Sequence, residues 1–447
     1  MSTADLELKG VQLKKWINLL TLVAIMIGIN IGGSLFVLTG VAANLTGPSL
    51  VLAQLVSAVP ILLALVPYFT LSSAVPATCA SYQYAKLFSK PMAVSAWMVL
   101  FIAIPLGALP LFAIATGNFV ANFIPGLHPT ITAIAAMTIF FILNIIGIKP
   151  VSWVQFATVA VLILALAAFI FPGLPKVEPV NFKPFFAGGF IGFIGAAALL
   201  FTLLAGGLFG IEIGGEVHDA KRTIPKALLL SKVIVLGIYI LLEVVAIGVV
   251  SWKTFGQAES LRVPGEVFLS GPGLSFFLIG GGILACVTTI NLILAVAGRY
   301  VLAFAHDGYF PAPFKKVGKK YSTPHWGLTL AYGMTVLMLI AEYLFKIPLI
   351  VLGQILNFGL LFMITLVLLA ALRLPKTHPH VYNQAEIKYK PAVLFGFSLS
   401  AIIINIIFMA VLAYGMLTSD NAKWAFPLFI IAALCGIIVY YAKQGKR

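Results

Sequence analysis

Apolar residues run along this chain in twelve long stretches separated by short polar segments. They lie at about 17–43, 49–71, 92–122, 129–148, 151–172, 192–216, 228–251, 273–305, 326–345, 348–372, 391–416 and 424–442. About 20 apolar residues cross the hydrocarbon of a bilayer as a helix, so the pattern predicts an all-α membrane protein with about twelve transmembrane helices. The first stretch, Thr21 to Thr39, is interrupted at its centre by Gly28-Ile-Asn-Ile-Gly32-Gly33-Ser34. Each glycine weakens a helix by roughly 1 kcal/mol relative to alanine. A break at that depth survives only where it lines protein or a water cavity. It leaves free carbonyls on one half-helix and free amides on the other, which suit a cation and an anion. Close helix packing through small residues is the other reading of the same glycines.

The sixth stretch repeats the interruption, at Phe201-Thr202-Leu-Leu-Ala205-Gly206-Gly207-Leu-Phe-Gly210. Two interrupted helices in corresponding positions point to an inverted-repeat transporter with its site between the halves. That correspondence favours a binding site over packing. Glu216-Val-His-Asp-Ala-Lys-Arg-Thr-Ile-Pro225 follows the sixth stretch, and Arg299-Tyr-Val-Leu-Ala-Phe-Ala-His-Asp307-Gly308-Tyr-Phe-Pro311 closes the eighth.

Composition agrees. The chain is 61% hydrophobic and 9% charged over 447 residues, which no soluble domain of this size resembles. With the N-terminus in the cytoplasm, 22 of the 28 Lys and Arg fall on inside segments, Lys232 among them. This positive-inside bias puts both termini in the cytoplasm of a multi-pass plasma-membrane protein. The net charge of +15 therefore reflects topology and gives no sign of nucleic acid. The run Lys315 to Lys320 could also touch anionic lipid. The polar N-terminus does not look like a signal peptide. Small residues, Pro76 and the tyrosines Tyr82 and Tyr84 suggest an interfacial turn with aromatic anchors after the second helix. Lys149-Pro150 suggests a tight turn between the fourth and fifth.

These motifs resemble those of the amino acid–polyamine–organocation (APC) transporter superfamily. Its patterns include a glycine-rich break in helix one, a P-x-x-G-G-S-Y run after helix two, and charged motifs after helices six and eight. The resemblance implies a 5+5 inverted-repeat core and two further helices: 1–16 as N-terminal segment, 17–172 and 192–372 as repeats, 391–442 as helices eleven and twelve, and 443–447 as C-terminal segment. It implies amino acid transport by alternating access, and no enzymatic activity. The chain departs from the pattern at Thr70, Cys79 and Ala80, and Leu208 stands at a frequent Glu.

The amides of Gly32, Gly33 and Ser34 suit a substrate carboxylate, and the carbonyls of Ile29, Thr202 and Ala205 suit its ammonium. Asn30, Thr202, Leu203 and Gly206 would form the side-chain pocket. No Lys or Arg is expected nearby, which argues for a neutral amino acid and against an acidic one.

In helix eight, Ala285, Thr288 and Thr289 share one face and offer three hard oxygens. Carbonyls of Gly28 and Ile31 would add two, a neutral set suited to Na⁺ as coupling ion. Related transporters carry a similar A-x-x-[ST]-[ST] pattern that binds sodium. The alternative is that both threonines bond back to carbonyls one turn earlier. Proton-coupled relatives place a Lys on helix five, where this chain has Leu162. Glu212 and Glu243, both within membrane stretches, keep proton coupling or exchange open. A channel would want a polar pore-lining series, and a membrane enzyme would want His, Asp or Cys clustered at one depth. Neither is seen, and no metal cofactor is implied. Oligomeric state is not legible.

Overall fold

The computed structural model describes residues 15–121, 123–124, 126–258, 260–318, 321, 323–419 and 423–444, without the side chains of 37 and 148–152. Of the terminal segments named above, 1–14 and 445–447 therefore lie outside the described residues, as do Lys319 and Lys320.

Among the described residues twelve helices are long and apolar enough to cross a membrane, and none of those residues forms a strand ladder. The first span is two helices, Leu19–Asn30 and Gly33–Thr46. The second is Leu50–Ala74, with Pro60 and Pro67 inside it. The third covers Lys90–Ala121 and relaxes into a π-helical turn at Ile104–Ala108. The fourth and fifth are Pro129–Ile146 and Ile148–Gly173. The sixth runs as α-helix over Gly189–Ala205 and then tightens into 3₁₀ turns at Gly206–Glu212. The seventh is Ala220–Val249. The eighth, Gly271–His306, has its own π-helical stretch at Phe277–Ile283. His325–Phe345, Leu349–Thr377, Pro391–Thr418 and Ala425–Gln444 complete the set.

The first span packs on the sixth, the second on the seventh, the third on the eighth and the fourth on the ninth. That offset of five is what two related five-helix halves produce. The first, third, sixth, eighth and tenth spans are largely buried, whereas the fourth, ninth, eleventh and twelfth turn most of their surface outward. Lipid takes the apolar outer faces, so hydrophobicity alone does not separate core from periphery.

Two local expectations change. The turn between the fourth and fifth spans is made by Gly147, whose φ of 121° suits a residue without a Cβ. Lys149-Pro150 already belongs to the first turn of the next helix, where proline lacks no needed donor. Tyr82 and Tyr84 are not interfacial anchors. They lie on a short helix, Ala80–Phe88, and are fully buried. The Tyr84 hydroxyl donates to Val75 O over 2.8 Å.

Candidate functional site

The first span breaks where the glycines predict. Ile31 ends the first half, its N–H donating to Ile27 O over 2.8 Å, and Gly32 caps the second half in extended conformation. The sixth span gives way at Ala205 and Gly206, but into 3₁₀ turns, not a second α-helix. The two breaks meet. Gly207 N–H donates to Asn30 Oδ1 over 2.6 Å. A Cβ on Gly206 would sit 3.1 Å from the carbonyl oxygen of Ile29. Asn30, Thr202, Leu203, Ala205 and Gly206 are thus all brought to one buried locus.

Lys232 corrects the sequence reading. The charge pattern counts it with the inside segments, at the edge of the seventh stretch, and predicts no cation near the breaks. The seventh helix begins at Ala220, so Lys232 lies twelve residues inside a 30-residue span. It is fully buried, and its Nζ donates to Leu204 O and, over 3.2 Å, to Asn30 Oδ1. Two turns further along the face, the Tyr239 hydroxyl donates to Asn30 O and to Leu203 O. The carbonyl ends of both broken helices are therefore held by the seventh span. With Lys232 at the breaks, the side-chain pocket is not free of cations, and an acidic substrate is no longer disfavoured on that ground.

Glu243 continues that face, four residues beyond Tyr239, and neither carboxyl oxygen has a hydrogen-bond partner. Glu212 is in a different place. Its carboxylate accepts from Ser81 N–H at 3.2 and 3.3 Å, and its carbonyl accepts from Cys79 N–H at 2.8 Å. It caps the short helix that begins at Ala80, the usual task of a carboxylate at a helix start. A small cavity beside it is lined by Ser81, Leu208, Tyr300 and Leu360, among others.

Four of the five residues of the sodium set come together. Thr288 Oγ1 donates to Ala285 O over 2.8 Å and approaches Gly28 O at 3.2 Å; Thr289 Oγ1 donates to Ala285 O over 3.0 Å. The hydroxyls make the back-bonds to the preceding turn, yet they also face the first break, since Thr289 lies directly against Gly32. From the fifth span, the side chains against Gly28 are Gln155 and Val159, not Leu162. Gln155 Oε1 accepts from Asn291 Nδ2 at 3.4 Å, while its Nε2 has no partner. The group this helix turns toward Gly28 is thus a carboxamide, where the resemblance to proton-coupled relatives suggests a lysine position.

On the face carrying the start of the first span, the chain is latched. Ile17 bridges to Val217, Trp16 N–H donates to Glu216 O over 3.0 Å, and His218 N–H donates to Ile17 O over 2.9 Å. Arg299 donates to the Glu216 carboxylate over 2.7 Å, both side chains buried. Asp307 accepts from Lys86 at 2.8 Å and from the Tyr82 hydroxyl at 2.7 Å. Arg222 pairs with Glu386, at the exposed surface. The two motifs after helices six and eight thus build one closure.

The family model for amino acid permeases matches residues 17–439, spanning both breaks and both latch motifs. The chain belongs to the amino acid permease family. The permease is 25% identical to the branched-chain amino acid permease BcaP of Bacillus subtilis, over 97% of this chain and 94% of that one. It is 24% identical to the methylthioribose transporter of the same organism, over 100% and 97%. A third relative, the B. subtilis aspartate-proton symporter, is 28% identical over 72% and 66%. The permease is accordingly a multi-pass membrane transporter and not an enzyme.

Proposed function

We propose that this permease moves an amino acid across the plasma membrane by alternating access, with both termini in the cytoplasm and Na⁺ as coupling ion. The observation that carries the reading is the meeting of the two helix breaks through Asn30 and Gly207. Free amides of Gly32, Gly33 and Ser34 begin the second half of the first span and would take the carboxylate. The carbonyls of Ile29, Thr202 and Ala205 would take the ammonium, that of Thr202 while also accepting from Gly206 N–H. The grouping of Gly28 O, Ala285 O, Thr288 and Thr289 supports a sodium site, with Ile31 as further ligand. An ion there would tie the first half of the first span to the eighth. Ion and substrate affinities would then rise together by linkage.

A second reading is proton coupling. It has its own support in Lys232, a titratable group inside the site, and in the aspartate-proton symporter among the relatives. Glu212 and Glu243 were the sequence candidates for that role.

Uptake of labelled amino acids into proteoliposomes, under an imposed Na⁺ gradient and then an imposed H⁺ gradient, tests both. The Na⁺ gradient should drive accumulation, and Thr288→Ala with Thr289→Ala should remove that dependence. Accumulation driven only by the proton gradient, unaffected by the threonine pair, would transfer the coupling to the second reading.

A further inference from the structure

Lys232 is a buried amine without a carboxylate partner among the described residues. An ion kept in a membrane interior is costly and marks a functional position. An ammonium carries three donors, and two of them are used, on Leu204 O and Asn30 Oδ1. Beside it, Asn30 Nδ2 is buried and has no partner at all. Both nitrogens converge on one point: a Cβ built on Gly207 would reach Asn30 Nδ2 and Lys232 Nζ before anything else. A buried donor left unmet costs free energy comparable to a lost hydrogen bond. Here two such donors, one of them charged, face the same glycine in the break of the sixth span.

We propose that Lys232 and Asn30 form a subsite for an anionic group on the side chain of the transported amino acid, making the substrate an acidic one. This rests on the reading that the breaks hold the substrate. In that reading the α-carboxylate goes to the amides from Gly32 onward. Asn30 and Gly32 are two residues apart, so their Cα atoms are separated by at most about 7 Å. That separation suits the two carboxylates of a short dicarboxylic amino acid. Glu212 is committed to Ser81 N–H and Glu243 lies eleven residues further along the helix, so neither neutralises Lys232. The ammonium's charge is then met by the cargo. A neutral amino acid would leave it and Asn30 Nδ2 unmet.

The test is isosteric. Binding of aspartate, asparagine, glutamate and glutamine is measured on the purified full-length protein at fixed pH and Na⁺, for wild type, Lys232→Gln and Lys232→Arg. A charge-assisted hydrogen bond predicts that each acid binds its wild-type site at least about tenfold more tightly than its amide. In Lys232→Gln that ratio should fall to near unity or invert, while Lys232→Arg should keep part of it. Wild type that prefers the amides overturns the subsite, as does a Lys232→Gln variant that weakens acid and amide equally. Should Lys232→Gln fail to fold, the wild-type acid-to-amide ratio alone decides. Binding of the amides with rejection of the acids would spare the reading of the breaks and sink the subsite. Binding of none of the four, nor of any neutral amino acid, would sink both.

Discussion

Asn30 and Gly207 touch across the membrane interior, the glycine N–H donating to the carboxamide oxygen over 2.6 Å. One residue is the last of the helix that forms the first half of the first span, and the other is the second residue of the 3₁₀ half of the sixth. Asn30 Oδ1 also accepts from Lys232, and Asn30 O accepts from Tyr239. Three spans therefore converge on one asparagine, and changes around it should act on binding before they act on insertion.

Gly207→Ala is the smallest such change. Its new methyl would displace Asn30 and Lys232 together, since both nitrogens occupy the space the Cβ needs. Overpacking of this kind costs about 1–3 kcal/mol. We expect normal insertion and a loss of substrate affinity of about tenfold or more, from about 1.4 kcal/mol of displaced contact. Equilibrium binding on the purified variant checks this; unchanged affinity would reduce Gly207 to a packing residue. Gly32→Val should do the same at the other break, because its side chain would collide with Thr289.

Arg299→Ala should be the most destabilising change on the latched face. It strands the Glu216 carboxylate, which is buried and held by that arginine at 2.7 Å. Removing one partner of a buried pair costs about 3–5 kcal/mol. A large drop in the melting temperature of the detergent-solubilised protein is expected. Arg222→Ala, which breaks an exposed pair with Glu386, should leave the melting temperature nearly unchanged.

Glu212→Gln tests whether that carboxylate caps a helix or carries a proton. As a cap on Ser81 N–H, its replacement should lower stability by about 1 kcal/mol and leave the pH response of substrate binding unchanged. A lost pH response would restore the coupling role.

Glu243→Gln points the other way. Both oxygens of Glu243 are buried without a partner, so an uncharged isostere gives up no hydrogen bond. Melting temperature should stay level or rise, with transport retained. Abolished uptake at unchanged stability would place Glu243 in the transport cycle.

Sidedness has its own check. Single cysteines at Lys176 or Lys253 should react with an impermeant thiol reagent from outside, and one at Lys315 only from inside. Outside labelling at 315 would invert the topology.

The spans and both breaks were legible because their signals are local. A glycine cluster in a long apolar run carries its own cost, and hydropathy marks the run. Lys232 was illegible for the converse reason. The apolar stretch starts near 228, so the lysine looked like its edge, but the helix had begun two turns earlier at Ala220. A clue was present in the spacing of Lys232, Tyr239 and Glu243, which places three polar groups on one face of an apolar helix. Its partners, Leu204 and Asn30, come from other spans and no spacing announces them. The 3₁₀ form of the sixth span beyond Gly206 is likewise set by what packs on it. The threonine pair has a local signal, two hydroxyls one turn beyond Ala285, whereas the Gln155 amide beside Gly28 has none, because a lone carboxamide on an apolar helix announces no partner.

The first and sixth spans are sewn together twice, at the break through Asn30 and Gly207 and at the latched face through Ile17, Val217 and His218. Two fastenings at opposite ends of a segment fix both its position and its tilt. In an alternating-access cycle, residues 17–30 and 207–218 are then expected to swing as one lever about Ile31-Gly32 and Ala205-Gly206. Spin labels placed on those two segments should keep a constant separation as the face opens. The distance from either one to the Arg299–Asp307 end of the eighth span should be what changes.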